Sequence, residues 1–142
     1  MTDSPATSIA VRVYYEDTDA GGIVYYANYL KYAERGRTEL LRSLGFENKA
    51  LMDSGNLLFV VRHLEADYLS GAKLDDLLDI HTSVVEIRNA SFTMYQTVSR
   101  SGEILFKLRV KLACINTEGR PVRAPDDLKA ALAVAAYEEG SR

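Results

Sequence analysis

From Ile9 onward, apolar and polar positions alternate with a period of two. Ile9, Val11, Val13 and Tyr15 stand against Ala10, Arg12 and Tyr14, a pattern that predicts a half-buried strand. Over residues 25–44 the period becomes helical, with Tyr26, Leu30, Ala33, Leu40 and Leu44 on one stripe and Lys31, Glu34, Arg35, Glu39 and Arg42 mainly elsewhere. Gly45 follows where a C′ glycine belongs. A loop through Asp53, Ser54, Gly55 and Asn56 leads to four more stretches that read as strands: residues 58–69, 78–88, 91–100 and 104–116. In the last, Ile104, Phe106, Leu108, Val110, Leu112 and Cys114 point one way and Lys107, Arg109 and Lys111 the other, so one face is predicted buried and the other wet. The links "RNAS" and "RSGE" are short enough for hairpins and imply antiparallel pairing. At the end, "APDDLKAALAVAAYEE" puts Pro125 in an N1-like place, Asp126 and Asp127 in the first turn, and an alanine-rich helix after them.

The order strand, long helix, four strands, short helix predicts an α+β fold. Patterning that is apolar on one side needs one cover, which a strongly curved antiparallel sheet wrapped around the long helix supplies. Such a sheet has open edges, and joining the edges of two copies would hide their unpaired amides, so a homodimer is expected. Residues 1–8 are small and polar and are expected to form a loose end, leaving residues 9–142 as a single domain. With 142 residues, 47% apolar and 26% charged, the chain can build a core unaided. Its 17 basic and 20 acidic residues give a net charge of −3, which offers no long-range pull towards nucleic acid or anionic membranes. Cys114 is the single cysteine, so a reducing compartment fits. The N-terminus has no signal-peptide pattern and no window is a membrane span, hence a soluble, cytoplasmic protein is expected.

The densest chemistry lies in "YYEDTDAGGIVYYANY", residues 14–29. Asp17, Thr18 and Asp19 between a strand and a helix suit turn and cap duty, Gly21 and Gly22 suit turn dihedrals, and the tyrosines suit an amphipathic core. The same residues also suit acyl chemistry. A helix N-terminus presents amide hydrogens to a developing oxyanion, paired glycines let a substrate approach the main chain, and an aspartate just upstream can act as nucleophile or general base. Together they amount to acyl-group hydrolysis without a Ser-His-Asp triad.

The stretch "VRVYYEDTDAGGIVYYANYLKYAERGRTELL", residues 11–41, resembles the signature of the hotdog-fold acyl-CoA thioesterases of the 4-hydroxybenzoyl-CoA thioesterase and YbgC (Tol-Pal-associated) type. "VVRHLEADYLSGAKLDDLLDI", residues 60–80, resembles the same family further on, including a Leu-Asp-Asp turn. The resemblance implies a hotdog fold, in which a curved five-stranded antiparallel sheet wraps a long central helix. It puts the catalytic acid on Asp19, with Asp17 supporting or solvated, and the backbone amide that polarises the thioester carbonyl on Tyr26. Many Tol-Pal-associated members have histidine there and hydroxybenzoyl-type enzymes can have tyrosine; a phenol is no proton relay near neutral pH as an imidazole is, so Tyr26 is assigned a main-chain role. Tyr15 and Gly22 are weaker candidates for lining the substrate pocket. The implied reaction is hydrolysis of a coenzyme A thioester to acid and free thiol, with no cofactor or metal, by a homodimer or homotetramer with active sites at the subunit boundary. Glu34 to Glu39 resembles the Tol-Pal-associated helix and favours short aliphatic acyl groups, whereas Tyr26 favours aromatic ones. A non-catalytic acyl-carrier or membrane-organisation partner is the rival from another class, and acyl carrier protein an alternative carrier.

Other residues weigh less. His63 and His81 lack the convergent ligands of a metal site, and a hotdog dehydratase would want a histidine in the helix-mouth motif. GxSxG and P-loop motifs are absent. Lys107, Arg109 and Lys111 form a basic row that is either a solvated face or a landing surface for coenzyme A phosphates or an acidic carrier, with Arg62 and Arg88 as further cations. Asp75, Asp76 and Asp79 read as a turn.

Overall fold

A computed structural model describes residues 7–136. Five strands, β1 (Thr7–Arg12), β2 (Leu58–Tyr68), β3 (Leu77–Ile87), β4 (Ser91–Arg100) and β5 (Glu103–Ile115), form one curved antiparallel sheet in the order β1-β3-β4-β5-β2. Helix α1 (Asn28–Ser43) packs on β3, β1 and β4, and α3 (Asp126–Val134) packs on β3. This is the expected α+β arrangement. Strand β1 starts at Thr7, two residues before the expected edge of the domain; residues 1–6, and Tyr137 onward in the final helical stretch, lie outside the described residues.

Three local expectations are corrected. Helix α1 begins at Asn28 rather than residue 25, with Ala27 as its N-cap, and its buried stripe is Tyr29, Tyr32, Ala33, Gly36, Leu40 and Leu41. Tyr26 therefore precedes the helix, and it is 61% exposed. The buried stripe meets the sheet most closely at Gly36, where a Cβ would come within 2.7 Å of Thr82 Oγ1 and 2.9 Å of Ile80 Cγ2. Buried Gln96 then joins the layers: its Nε2 donates to the Ala33 carbonyl at 2.7 Å and to Thr82 Oγ1 at 2.8 Å, while its Oε1 accepts from Arg37 Nη1 at 3.0 Å.

Second, the stretch after Gly45 holds a helix, α2 (Asn48–Gly55), in place of a loop. Lys49 pairs with Asp53 one turn later at 2.7 Å, and Asn56 closes the helix in the left-handed conformation at φ 51°. The residues that suggest a loop are the end of this helix. Third, Ile104 is exposed and Leu105 is fully buried, the reverse of the alternation. The ladder between β4 and β5 steps from Val98–Phe106 to Ser99–Ile104, so Leu105 is an extra, bulged residue that turns Ile104 outward. A similar step at Val61/His63 leaves Arg62 between paired positions, which explains a cation within an apolar set.

Cys114 is buried on β5, and burial pushes its thiol pKa up, as befits a small core hydrophobe. Across the β2–β5 ladder Glu65 is in register with Arg109 and Asp67 with Lys107, so acids interleave with the basic row.

Candidate active site

The segment between β1 and α1 folds from within. After β1, Tyr15–Asp17 makes one 3-10 turn, capped by the Asp17 carboxylate, whose Oδ2 accepts from the Tyr14 amide at 2.9 Å. Asp17 is thus a supporting residue: its carbonyl also accepts from the Tyr25 amide at 3.0 Å and the Asn28 side-chain amide at 2.8 Å, which ties the turn to the first residue of α1. Deeper in, Tyr32 encloses its hydroxyl with no hydrogen-bond partner among the described residues. Burial first, and the nearby Asp17 carboxylate second, push its pKa up.

Residues 18–24 form a tight reversal. Thr18 bridges Val24, the Asp19 amide donates to the Ile23 carbonyl at 3.0 Å, and the Gly22 amide donates to the Asp19 carbonyl at 3.0 Å. Gly22 sits at φ +79°, and a Cβ there would meet nothing within 4 Å. Within the chain, its glycine is required by the turn conformation and not by crowding. Asp19 is exposed at the tip. Its Oδ1 accepts from the Gly21 amide at 2.9 Å, an Asx turn that orients the carboxylate, and its Oδ2 has no hydrogen bond among the described residues.

After the reversal the chain enters α1 through Tyr25, Tyr26 and Ala27. The Tyr25 amide goes to Asp17 and the Asn28 amide to the Tyr25 carbonyl at 2.8 Å. Between them, the Tyr26 amide has no acceptor among the described residues. The Tyr26 carbonyl accepts the Tyr68 hydroxyl at 3.2 Å, and the Tyr26 ring lies 6.2 Å from that of Tyr68 and 4.7 Å from that of Tyr25. Burial, then the neighbouring Tyr26 and Tyr29, raises the Tyr68 pKa. The structure thus puts Asp19, Gly22 and Tyr26 in one continuous turn system beside the helix mouth. Tyr15, 83% exposed, opens the 3-10 turn on the near side. A groove of about 460 Å³ borders the 3-10 turn at Tyr14, Glu16 and Asp17, with Arg35 and Glu39 across it, and another of about 410 Å³ lies further along α1 against β2, at Glu34, Arg37, Thr38, Leu58 and Val61; Asp19, Gly22 and Tyr26 line neither.

A family model, the thioesterase superfamily, matches residues 21–107, more than half of the chain and all of α1 through the start of β5. The chain belongs to the thioesterase superfamily. It is 48% identical over 125 residues to the acyl-CoA thioesterase YbgC of Haemophilus influenzae, covering 87% of this chain and 92% of that protein. To the acyl-CoA thioester hydrolase YbgC of Escherichia coli it is 43% identical over 107 residues, 75% of this chain and 79% of that protein. A crystal structure of a probable thioesterase from Bartonella henselae matches with a TM-score of 0.81 at 41% identity, over 84% of this chain and 99% of the other.

Within this thioesterase-superfamily chain, two histidines lie elsewhere: His81 on β3 bonds Ser8 Oγ at 3.1 Å, and His63 on β2 stands 3.4 Å from Glu65. The sequence pattern does not reveal Tyr29, whose hydroxyl accepts from the Ala72 amide at 2.9 Å, nor the partners of Asp76. The only trace in the sequence is the Leu-Asp-Asp turn, which carries no sign of what it touches.

Proposed function

We propose that the protein hydrolyses acyl-CoA thioesters to free acid and coenzyme A, with Asp19 as the catalytic carboxylate and the Tyr26 amide as the carbonyl-polarising donor. One observation carries this: a carboxylate with one oxygen held by its own turn and the other free stands in the same turn system as an unpartnered amide at a helix mouth. The thioester carbonyl accepts from the Tyr26 N–H, which stabilises the oxyanion as it forms. Asp19 then either attacks the carbonyl carbon, giving an acyl-aspartyl anhydride that water opens, or takes a proton from the water that attacks; the thiolate leaves and is protonated. Single-turnover hydrolysis in oxygen-18 water, with the label followed into Asp19, separates the routes. Tyr15 and Gly22 border the acyl entry, and neither metal nor cofactor takes part in this scheme.

Asp19→Asn keeps the acceptor for the Gly21 amide and removes the charge. The expected outcome is a kcat about 10² to 10⁴ lower across an acyl-CoA panel, with the melting curve unchanged. Turnover near the wild-type rate would refute the assignment, and a wild-type protein that releases no thiol from any acyl-CoA would leave the acyl-carrier or membrane-organisation reading. The Glu34 to Glu39 run, through its resemblance to the Tol-Pal-associated helix, favours short aliphatic acyl groups. A specific observation favours aromatic acyl groups as the second reading: the Tyr25, Tyr26 and Tyr68 rings form an exposed aromatic shelf next to the site. The same panel decides between them.

The active form is a homodimer joined along β2, either alone or paired into a tetramer. β2 is a sheet edge of 11 residues that exposes Val60, Val61 and Leu64, a strand natural proteins rarely leave open. Light scattering should give twice or four times the 15.8 kDa chain mass, and Val61→Lys should shift it downwards; a wild-type monomer at micromolar concentration sinks this part. A cytoplasmic site of action agrees with the single, buried cysteine, and no helix among the described residues is long and apolar enough to cross a membrane.

A further inference from the structure

The loop that carries Asp19 is the outer part of a small ladder. Thr18 bridges Val24, and Ile23 bridges Lys73; the Val24 amide donates to the Ala72 carbonyl at 2.8 Å and the Leu74 amide to the Gly22 carbonyl at 3.4 Å. Residues 72–74 are therefore the rail on which the Asp19 reversal lies, and the segment that contains them, residues 69–76, is held from several sides, among them Val13 and Arg12, which bond Asp75 and Asp76. From α1, the Tyr29 hydroxyl accepts the Ala72 amide. From the β5 bulge, the Leu105 carbonyl accepts the Leu69 amide at 2.8 Å and the Ser70 amide at 3.2 Å. From the other end, Asp76 Oδ2 accepts both the Lys73 amide and Arg100 Nη1, each at 2.8 Å, and Arg100 Nη2 reaches Glu103 at 3.0 Å.

An ion pair whose side chains are 22% and 27% exposed adds little to global stability. Its effect is local. One carboxylate oxygen closes the turn by taking a backbone amide and is itself held by a guanidinium, while Asp75 between them stands in the left-handed region at φ +74°. We propose that Asp76 and Arg100 are positioning residues for the reaction: their ion pair fixes residues 72–74, and through the ladder to residues 22–24 it sets where the Asp19 carboxylate stands relative to the Tyr26 amide. This rests on the thioesterase reading above. Neither side chain touches the reacting atoms.

The test compares Arg100→Met, Arg100→Lys and Tyr29→Phe with the wild type and with Asp19→Asn, using one acyl-CoA that the wild type turns over. Arg100→Met should lower kcat about ten- to a hundredfold with KM within about threefold, as expected for a catalytic group displaced by a fraction of an ångström to an ångström. Arg100→Lys should recover part of that loss. Tyr29→Phe, which releases the same rail from the opposite side, should show the same kcat-only signature. If Arg100→Met and Tyr29→Phe keep near-normal kcat while Asp19→Asn is inactive, the positioning role is wrong and the thioesterase reading stands. A fall in kcat that only follows a fall in folded fraction by circular dichroism, with no recovery in Arg100→Lys, also overturns it. Activity that survives Asp19→Asn removes the underlying reading instead.

Discussion

Gly36 and Gly22 sit in two regions that meet opposite demands. At Gly36, in the middle of α1, the neighbours are a Thr82 hydroxyl at 2.7 Å and an Ile80 methyl at 2.9 Å from where a Cβ would be, and every polar group of adjacent Gln96 is matched. At Gly22 space is free and only the dihedral is special; Asp19 beside it keeps one carboxylate oxygen uncommitted, and the Tyr26 amide has no acceptor among the described residues. The first region is closed, with the hydrogen bonds of Gln96 satisfied, and it holds the layers together. The second is built from equally definite turns but leaves donor and acceptor atoms free, which costs little where water reaches them and is what a site for a foreign carbonyl requires.

The sharpest way to break this contrast after the Asp19 exchange is Gly36→Ala. Alanine in a helix interior normally gains about 1 kcal/mol over glycine, but overpacking a close helix–sheet contact costs about 1–3 kcal/mol. Thr82 and Ile80 are fixed in the sheet, so the clash should win. The expected result is a net loss of up to about 2 kcal/mol in urea titrations, with kcat of the folded protein changed little. A stabilised variant would mean the helix can lift from the sheet.

Gly22→Ala tests the other side with a smaller effect on folding. A non-glycine residue in the left-handed region costs about 1–2 kcal/mol, partly offset by the less flexible unfolded chain, so the net loss should be about 0.5–1 kcal/mol. Activity should suffer more than stability, because relaxing φ at Gly22 moves the Asp19 carbonyl and carboxylate together. If activity and stability fall in the same proportion, the distinction between the two regions fails.

The parts of this molecule that were legible in its sequence are those settled within a few residues. The period of two in β5, the Gly45 stop and the Asp-Thr-Asp-Ala-Gly-Gly reversal are all local, and the turn chemistry expected for Asp17 is what it performs. The bulge at Leu105 was not legible, because an extra residue is defined only against the partner strand. The same holds for the aromatic floor: Tyr29 stacks on Phe106 at 5.1 Å and reaches Ala72, contacts between segments far apart in the chain. Helix α2 was missed for another reason, since its closing Gly55 and Asn56 signal equally well a loop or a helix end. For the candidate site, the turn that carries Asp19 could be read; the start of α1 at Asn28 and the rail beneath, residues 72–76, could not.

The smallest expected effect concerns that rail and pH. Burial opposes ionisation of Asp76, yet hydrogen bonds from Arg100 and the Lys73 amide, with the charges of Arg100 and Lys73, together hold its pKa below the usual carboxylate value. A depressed folded pKa means the contribution to stability is complete above the unfolded value, near 4, and is lost as pH falls through the folded pKa. Between about pH 5 and pH 3 the wild type should therefore lose more stability than Asp76→Asn, by an amount under about 1 kcal/mol given the partial exposure of the pair. Arg100 stays charged throughout, so the whole difference belongs to the carboxylate. Parallel urea midpoints for the two proteins across that range would show that Asp76 gains nothing from its partners in the folded state, and the rail would then rest on Tyr29 and on the hydrogen bonds that Val13 and Arg12 make to Asp75 and Asp76.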